Sequence, residues 1–256
     1  MIKKMTSNEM VNKWLPYIGV AVILAVVILH VVNYGGALRF SNDVDHFVMI
    51  PTRVDMTSLE AFVHTLGESL IQHALPIHPL VYALQNIEDK DGIMLEFGVY
   101  SGSSIQTIAS YSPNATIVGF DSFEGLPETW RAGYEQGVFN LDRNMPDVFP
   151  PNVAIYRGWF DSTIPRFKKI LKDERISLLH IDCDLYSSTK LVLDAFHENI
   201  RDGTWVVFDE LVGYDGFEEH EIKALYEFLI AYQKEIQVVG RLLDEGNTES
   251  AVIRVL

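Results

Sequence analysis

The sequence predicts an α/β protein: a Rossmann-like, doubly wound, mostly parallel seven-stranded sheet with an antiparallel last strand, preceded by an N-terminal transmembrane helix. Three observations carry this reading. Beyond Gly92, short β-branched runs alternate with helical patterns, the order of a parallel sheet covered on both faces. The segment between the last two runs, 241–249, is shorter than the crossover of about a dozen residues that a parallel connection needs, so those strands pair antiparallel. Residues 14–32 carry no charged side chain and approach the roughly 20 residues that cross a bilayer.

In chain order, 1–13 is a polar tail, 14–34 the membrane span, 35–57 a linker with Pro51 inside it, and 58–256 the folded domain. Trp14, Tyr17 and Tyr34 suit interfacial anchoring, and Lys3, Lys4 and Lys13 precede the span against Arg39 after it. That bias predicts a single-pass protein with a cytoplasmic amino terminus and the domain on the far side. A cleaved signal peptide is the rival, with Gly35 and Ala37 as small residues near a cut, but the apolar run exceeds the roughly 7 to 15 residues of such a core.

Thr57 and Glu60 resemble a capping box, and Leu59, Phe62, Val63, Leu66, Leu70 and Ile71 recur at helical spacing, predicting a helix to about Ala74. Pro76 and Pro79 break the chain before a second helix over 80–87. Strands follow at 93–97, 116–120, 153–157, 177–182, 204–209, 236–240 and 250–255, and helices at 102–111, 162–172, 187–200 and 217–233. The segment 123–151 interrupts the alternation with Trp130, Tyr134, Phe139, Met145 and Phe149, as a lid or as surface packing. Trp159 and Phe160 stand where aromatics flank a purine or fill a core.

A formal net charge of -15 over 256 residues excludes a nucleic-acid backbone as partner. The single cysteine, Cys183, excludes an intrachain disulfide and a cysteine-based zinc site.

The organising stretch is Leu95-Glu96-Phe97-Gly98-Val99-Tyr100-Ser101-Gly102-Ser103-Ser104, a strand, a glycine turn and a helix start. Gly98 and Gly102 let a ligand approach the main chain, and Glu96 sets a carboxylate at the strand's end for a cationic or hydroxylated ligand. A pyrophosphate prefers G-x-G-x-x-G, whereas the spacing here is E-x-G-x-x-x-G, which leans towards S-adenosylmethionine over NAD. With Asp121 and Ser122 ending the second strand, where an acid accepts from ribose hydroxyls, the cofactor-binding candidates are Glu96, Gly98, Tyr100, Ser101, Gly102, Asp121, Ser122 and Asp182. Strands 177–182 and 204–209 end in Asp182-Cys183-Asp184 and Asp209-Glu210. Neighbouring ends would gather three or four carboxylates, and oxygen ligands alone suit Mg²⁺, Mn²⁺ or Ca²⁺; the rival is that Asp184 caps a helix.

Together with Phe120-Asp121-Ser122-Phe123-Glu124-Gly125-Leu126-Pro127-Glu128, Gly158-Trp159-Phe160-Asp161-Ser162-Thr163-Ile164-Pro165, His180-Ile181-Asp182-Cys183-Asp184-Leu185-Tyr186-Ser187-Ser188-Thr189 and Phe208-Asp209-Glu210, this stretch resembles the macrocin O-methyltransferase (TylF-like) family of class I S-adenosylmethionine-dependent methyltransferases. The resemblance spans 58–256 and implies methyl transfer to a hydroxyl, commonly on a sugar or glycosylated small molecule, with a Mg²⁺-type ion. It implies Asp182, Asp209 and Glu210 as metal ligands and Asp184 as general base. This chain differs where antibiotic-modifying members tend to have glycine in place of Cys183 and aspartate in place of Glu210. The expected partners are a small-molecule or glycan substrate and the membrane through 14–34, and a homodimer is compatible with all of this. The alternatives are a membrane-tethered nucleotide-binding module without turnover and an NAD-dependent oxidoreductase.

Overall fold

The computed structural model describes residues 54–142, 148–243 and 249–256. The predicted span 14–34, most of the linker 35–57 and Met145 lie outside the described residues. Among those described, no helix is long and apolar enough to cross a membrane.

The elements are α1 (Leu59–Gln72), β1 (Ala74–Leu75), α2 (Pro79–Asn86), β2 (Ile93–Phe97), α3 (Ser103–Tyr111), β3 (Thr116–Asp121), β4 (Val153–Arg157), α4 (Phe160–Leu171), β5 (Ile176–Ile181), α5 (Tyr186–Phe196), β6 (Trp205–Phe208), α6 (Glu221–Tyr232), β7 (Ile236–Leu242) and β8 (Ala251–Val255). They form one eight-stranded sheet in the order β1-β7-β8-β6-β5-β2-β3-β4. Only β8 is antiparallel, and it is so to both neighbours, β6 and β7. The predicted antiparallel last strand is therefore present.

Strand alternation divides the core between the two sheet faces. Leu95 and Phe97 join Phe120, Leu179, Ile181 and Phe208 on the face covered by α1, α4, α5 and α6. Met94 joins Ile117, Leu178 and Val207 on the face covered by α2 and α3. All six residues of central β5 are buried, as a strand covered on both faces requires. Phe97 stacks on Phe120 at 4.5 Å between ring centroids with the planes 6° apart, tying the ends of β2 and β3 together.

Four sequence expectations change. The sheet has eight strands because α1 stops at Gln72 and Ala74–Leu75 adds a parallel edge strand on β7. Gly240 permits that pairing: a Cβ there would lie 2.1 Å from the His73 carbonyl oxygen, and its φ is +148°. Ser58, not Thr57, caps α1, its Oγ accepting from the Ala61 N–H at 3.1 Å. Helix α5 ends at Phe196 rather than 200. The predicted helix 217–233 is split into a 3-10 turn, Phe217–Glu219, and α6, with His220 between them at φ -108°, ψ -129°.

Candidate active site

A cavity of about 510 Å³ opens beyond the carboxyl ends of β2, β3, β5 and β6, where open α/β sheets take their ligands. Gly98, Tyr100, Asp121 and Ser122 line it on one side, Asp182, Cys183, Asp184, Asp209 and Glu210 on the other, and Trp159, Phe160 and Asp161 come from the end of β4. The segment after β3 closes it with Leu126, Pro127 and Phe139, its two limbs bonded by Leu126 N–H to the Val138 carbonyl and Gly137 N–H to the Leu126 carbonyl. A second cavity of about 370 Å³ lies beside the first and shares Tyr100, Asp182 and Asp209 with it. Its other walls are His78 at the start of α2, Ser101, Ser103 and Ser104 at the start of α3, and His180.

The glycine turn is built on Asp121. One carboxylate oxygen accepts from the Val99 and Tyr100 N–H groups at 2.8 and 2.7 Å, and the other from Phe123 N–H at 2.7 Å. Sequence reasoning gave Asp121 to ribose hydroxyls; the structure gives it the turn to hold as well. Gly98 stands at φ +94°, and a Cβ there would meet the Asp182 carbonyl oxygen at 1.6 Å, so its glycine is required by strand packing as well as by ligand access. Gly102 at φ +82° starts α3 without a side-chain cap. Ser101 and Gly102 do not line the larger cavity, although Ser101 lines the smaller one. Ser122 Oγ accepts from the Glu124 N–H at 3.0 Å.

Glu96 departs from its expected place. It is fully buried, lines neither cavity, and its Oε1 lies 2.9 Å from Nδ1 of His180. Alternation along β2 and β5 turns both side chains to the α2–α3 face, and β2 pairs with β5 in the register that sets Glu96 beside His180. Burial works against a charged imidazole, but Glu96, with Asp182 and Asp209 farther off, raises His180 to about 9. Oε2 of Glu96 and Nε2 of His180 are buried without protein partners.

The structure does bring the carboxylates of β5 and β6 together. Ligand oxygens of Asp182, Asp209 and Glu210 lie within 4.8 Å of one another. Burial, then repulsion from Asp209, raises Asp182 and Glu210 well above ordinary carboxyl values. Asp184 is raised to about 7, by burial first and Asp209 second, against an opposing hydrogen bond from Glu210. It sits at φ +63°, in a tight turn closed by the Leu185 N–H on the Cys183 carbonyl at 2.6 Å. A non-glycine residue held there is strained backbone, a common property of reacting positions.

Glu221, His78 and Arg131, near this cluster, are not among the sequence candidates. Glu221 is fully buried, its Oε1 accepts from Thr189 Oγ1 at 3.2 Å, and Thr189 Oγ1 lies 3.5 Å from Cys183 Sγ. His78 Nε2 lies 3.9 Å from Asp209 Oδ1. Arg131 packs among Trp130, Tyr134 and Tyr214. Of the three, His78 has a local signal, a proline-marked helix start. Glu221 and Arg131 are tied in by hydrogen bonds to residues distant in sequence, Thr189 and Glu249.

Residues 95–211 match the family model described as a methyltransferase domain. Among solved structures the chain is similar to the calicheamicin methyltransferase CalS11, at 26% identity over 77% of this chain and 82% of that one, with a TM-score of 0.52. It is also similar to the O-methyltransferase NovP, at 20% identity over 68% of this chain and 78% of that one, with a TM-score of 0.50. No curated protein matches the sequence.

Proposed function

We propose that this S-adenosylmethionine-dependent O-methyltransferase methylates a hydroxyl of a sugar or glycosylated small molecule, assisted by a hard divalent cation, as the TylF-like branch of the family does. The observation that carries the cation is the convergence of Asp182, Asp209 and Glu210 within 4.8 Å on the wall of the cavity that Gly98 and Asp121 also line. The donor set fits such an ion: all ligands are oxygen, two of the three are pushed towards protonation by burial and mutual repulsion, and Glu210 Oε2 is buried without a protein partner. When bound, a Mg²⁺-type ion makes a coordinated hydroxyl more acidic, and S-adenosylmethionine supplies an electrophilic methyl group.

The chain's own residues divide the remaining work. Gly98, Tyr100, Asp121 and Ser122 shape the adenosine side of the larger cavity, with Trp159 and Phe160 at its end. The smaller cavity, with the α3 start, serine hydroxyls and His180, suits the amino-acid end of the cofactor. Carboxylates line the larger cavity and no Lys, Arg or His does so among the described residues, which favours a sulfonium and disfavours the phosphates of NAD. We assign Asp184, on the same wall, as the proton acceptor; burial and the neighbouring Asp209 raise it above an ordinary carboxyl, which makes it a stronger base. Leu126, Pro127 and Phe139 line this side of the cavity.

The sugar acceptor rests on the relatives. CalS11 is described as a TDP-rhamnose 3'-O-methyltransferase and NovP as an O-methyltransferase. The single-pass anchor 14–34, with its amino terminus in the cytoplasm, belongs to the same proposal. Calorimetric titration with S-adenosylmethionine and with NAD, each with and without Mg²⁺, tests the cofactor. Methyl transfer to a panel of glycosides, with and without EDTA, tests turnover. Saturable NAD binding with no response to S-adenosylmethionine would overturn the assignment, and full activity in EDTA would remove the cation.

A further inference from the structure

Arg131 lies outside the cavity wall, yet three separate stretches of chain meet at it, its own and those of Tyr214 and Glu249. Its two terminal nitrogens donate to the two carboxylate oxygens of Glu249 at 3.1 and 2.9 Å. Its guanidinium carbon lies 3.9 Å from the Trp130 ring centroid, 4.9 Å from that of Tyr134 and 4.4 Å from that of Tyr214. Trp130 and Tyr134 belong to the segment between β3 and β4 that closes the cavity. Tyr214 follows Asp209 and Glu210 by a few residues, and Glu249 precedes β8. The carbonyl of Glu249 accepts from the Leu211 and Val212 N–H groups at 3.0 and 3.3 Å, immediately beyond Glu210. Leu185, next to Asp184, packs with Leu126 and Trp130 in the same cluster, and Tyr134 and Tyr214 pack against it.

An isolated exposed ion pair would carry little, but this one is bidentate, its guanidinium meets three rings, and both partners are mostly buried, with side chains 21% and 30% exposed. Lysine at this position would lose both the fork and the stacking.

We propose that Arg131 is a positioning residue: by gripping Glu249 and Tyr214 it fixes the loop carrying Asp209 and Glu210 against the closing segment that carries Leu126, Pro127 and Phe139. The inference rests on the reading of this cavity as the methyl-transfer site. It adds that the convergence of the carboxylates depends on a cation that touches neither cofactor nor acceptor.

Arg131→Met, Arg131→Lys and Glu249→Gln in the full chain test it, each checked for folding by circular dichroism. The probes are Mn²⁺, titrated by electron paramagnetic resonance, and S-adenosylhomocysteine, titrated by calorimetry. Residues that orient metal ligands typically change metal affinity by 10- to 100-fold. Arg131→Met is expected to weaken Mn²⁺ roughly tenfold or more while S-adenosylhomocysteine, held mainly by the β2 and β3 ends, stays within about twofold. Arg131→Lys is expected to fall between Arg131→Met and wild type. Hydrogen exchange should quicken both in 125–139 and at Leu211 and Val212. Faster exchange confined to 125–139, or parallel loss of both ligands in a folded variant, would overturn the proposal. If wild-type protein binds no Mn²⁺, the metal reading fails, and the exchange at Leu211 and Val212 still decides the role of Arg131.

Discussion

The backbone of Gly98 runs so close to Asp182 that a methyl group on its Cα would sit 1.6 Å from the Asp182 carbonyl oxygen. The end of β2 and the start of the carboxylate cluster are thus one packed unit, joined also by the Asp182 N–H on the Phe97 carbonyl at 2.9 Å.

Gly98→Ala therefore acts on the fold as well as on the ligand. With φ at +94° and a backbone atom in the way, it is expected to cost about 2 kcal/mol or more and to abolish S-adenosylhomocysteine binding. Urea denaturation and calorimetry measure the two effects; wild-type stability in the variant would contradict the close approach.

Asp121→Asn replaces an acceptor oxygen with a donor facing main-chain N–H groups. At least one of the three bonds to Val99, Tyr100 and Phe123 is lost, each worth about 1.5 to 3 kcal/mol to a charged acceptor. The ligand-free variant is expected to melt at lower temperature and to bind S-adenosylhomocysteine more weakly. An unchanged melting temperature with weaker binding would confine Asp121 to the ribose.

Asp184→Asn is expected to retain Mn²⁺ binding and to lose about 10²- to 10⁴-fold in methyl transfer, the usual contribution of a positioned base. Asp182→Asn and Asp209→Asn should lose both together. Because only the ionised carboxylate accepts a proton, activity should rise with pH along an acid limb; a bound cation offsets the Asp209 charge that raises Asp184 to about 7 without metal, so the limb of the active enzyme should lie below about 7. An Asp184→Asn enzyme with wild-type turnover would assign the base elsewhere.

His180 is raised to about 9 from an ordinary 6.5, so the folded protein holds its proton more tightly than the unfolded chain. The stabilisation is complete below about 6.5 and disappears as pH rises through about 9, a difference of about 3 kcal/mol at most. Denaturation in EDTA at pH 6 and pH 9.5 should show the wild type losing stability and His180→Gln losing much less. Equal losses would place the pH dependence outside the Glu96–His180 pair.

The amino-terminal segment is expected to keep the protein in the membrane pellet after carbonate extraction at high pH, and in separate, sealed vesicles the carboxyl terminus should be protected from protease added on the cytosolic side. Digestion without detergent would reverse the orientation, and release by carbonate would remove the anchor.

Where each feature was legible follows from how far its cause reaches along the chain. β2 and β4 run over the predicted residues, because the short strand-forming runs that set their limits are local in the sequence. The meeting of Asp182 with Asp209 and Glu210 followed from two strand ends that neighbour one another in the sheet. The pairing of Glu96 with His180 was not legible because the two lie 84 residues apart, and nothing near Glu96 marks it as paired. Arg131 reads locally as a surface cation; only its distance of 118 residues to Glu249, closed by the fold, gives it a role. The two-residue β1 is too short for any periodicity and exists through Gly240, which a strand pattern reads as a weakness.

The pairing of β2 with β5 also makes the first half of the domain depend on the second. β2 and β3 are neighbours linked through α3, but the Glu96 carboxylate of β2 has its protein partner, His180, on β5. Non-local closure of that kind is slow, since the chain loses loop entropy before any contact rewards it. A chain cut before β5 would therefore lack the partner with which Glu96 is buried, and with it the carboxylates that β5 and β6 bring to the ligand-binding end.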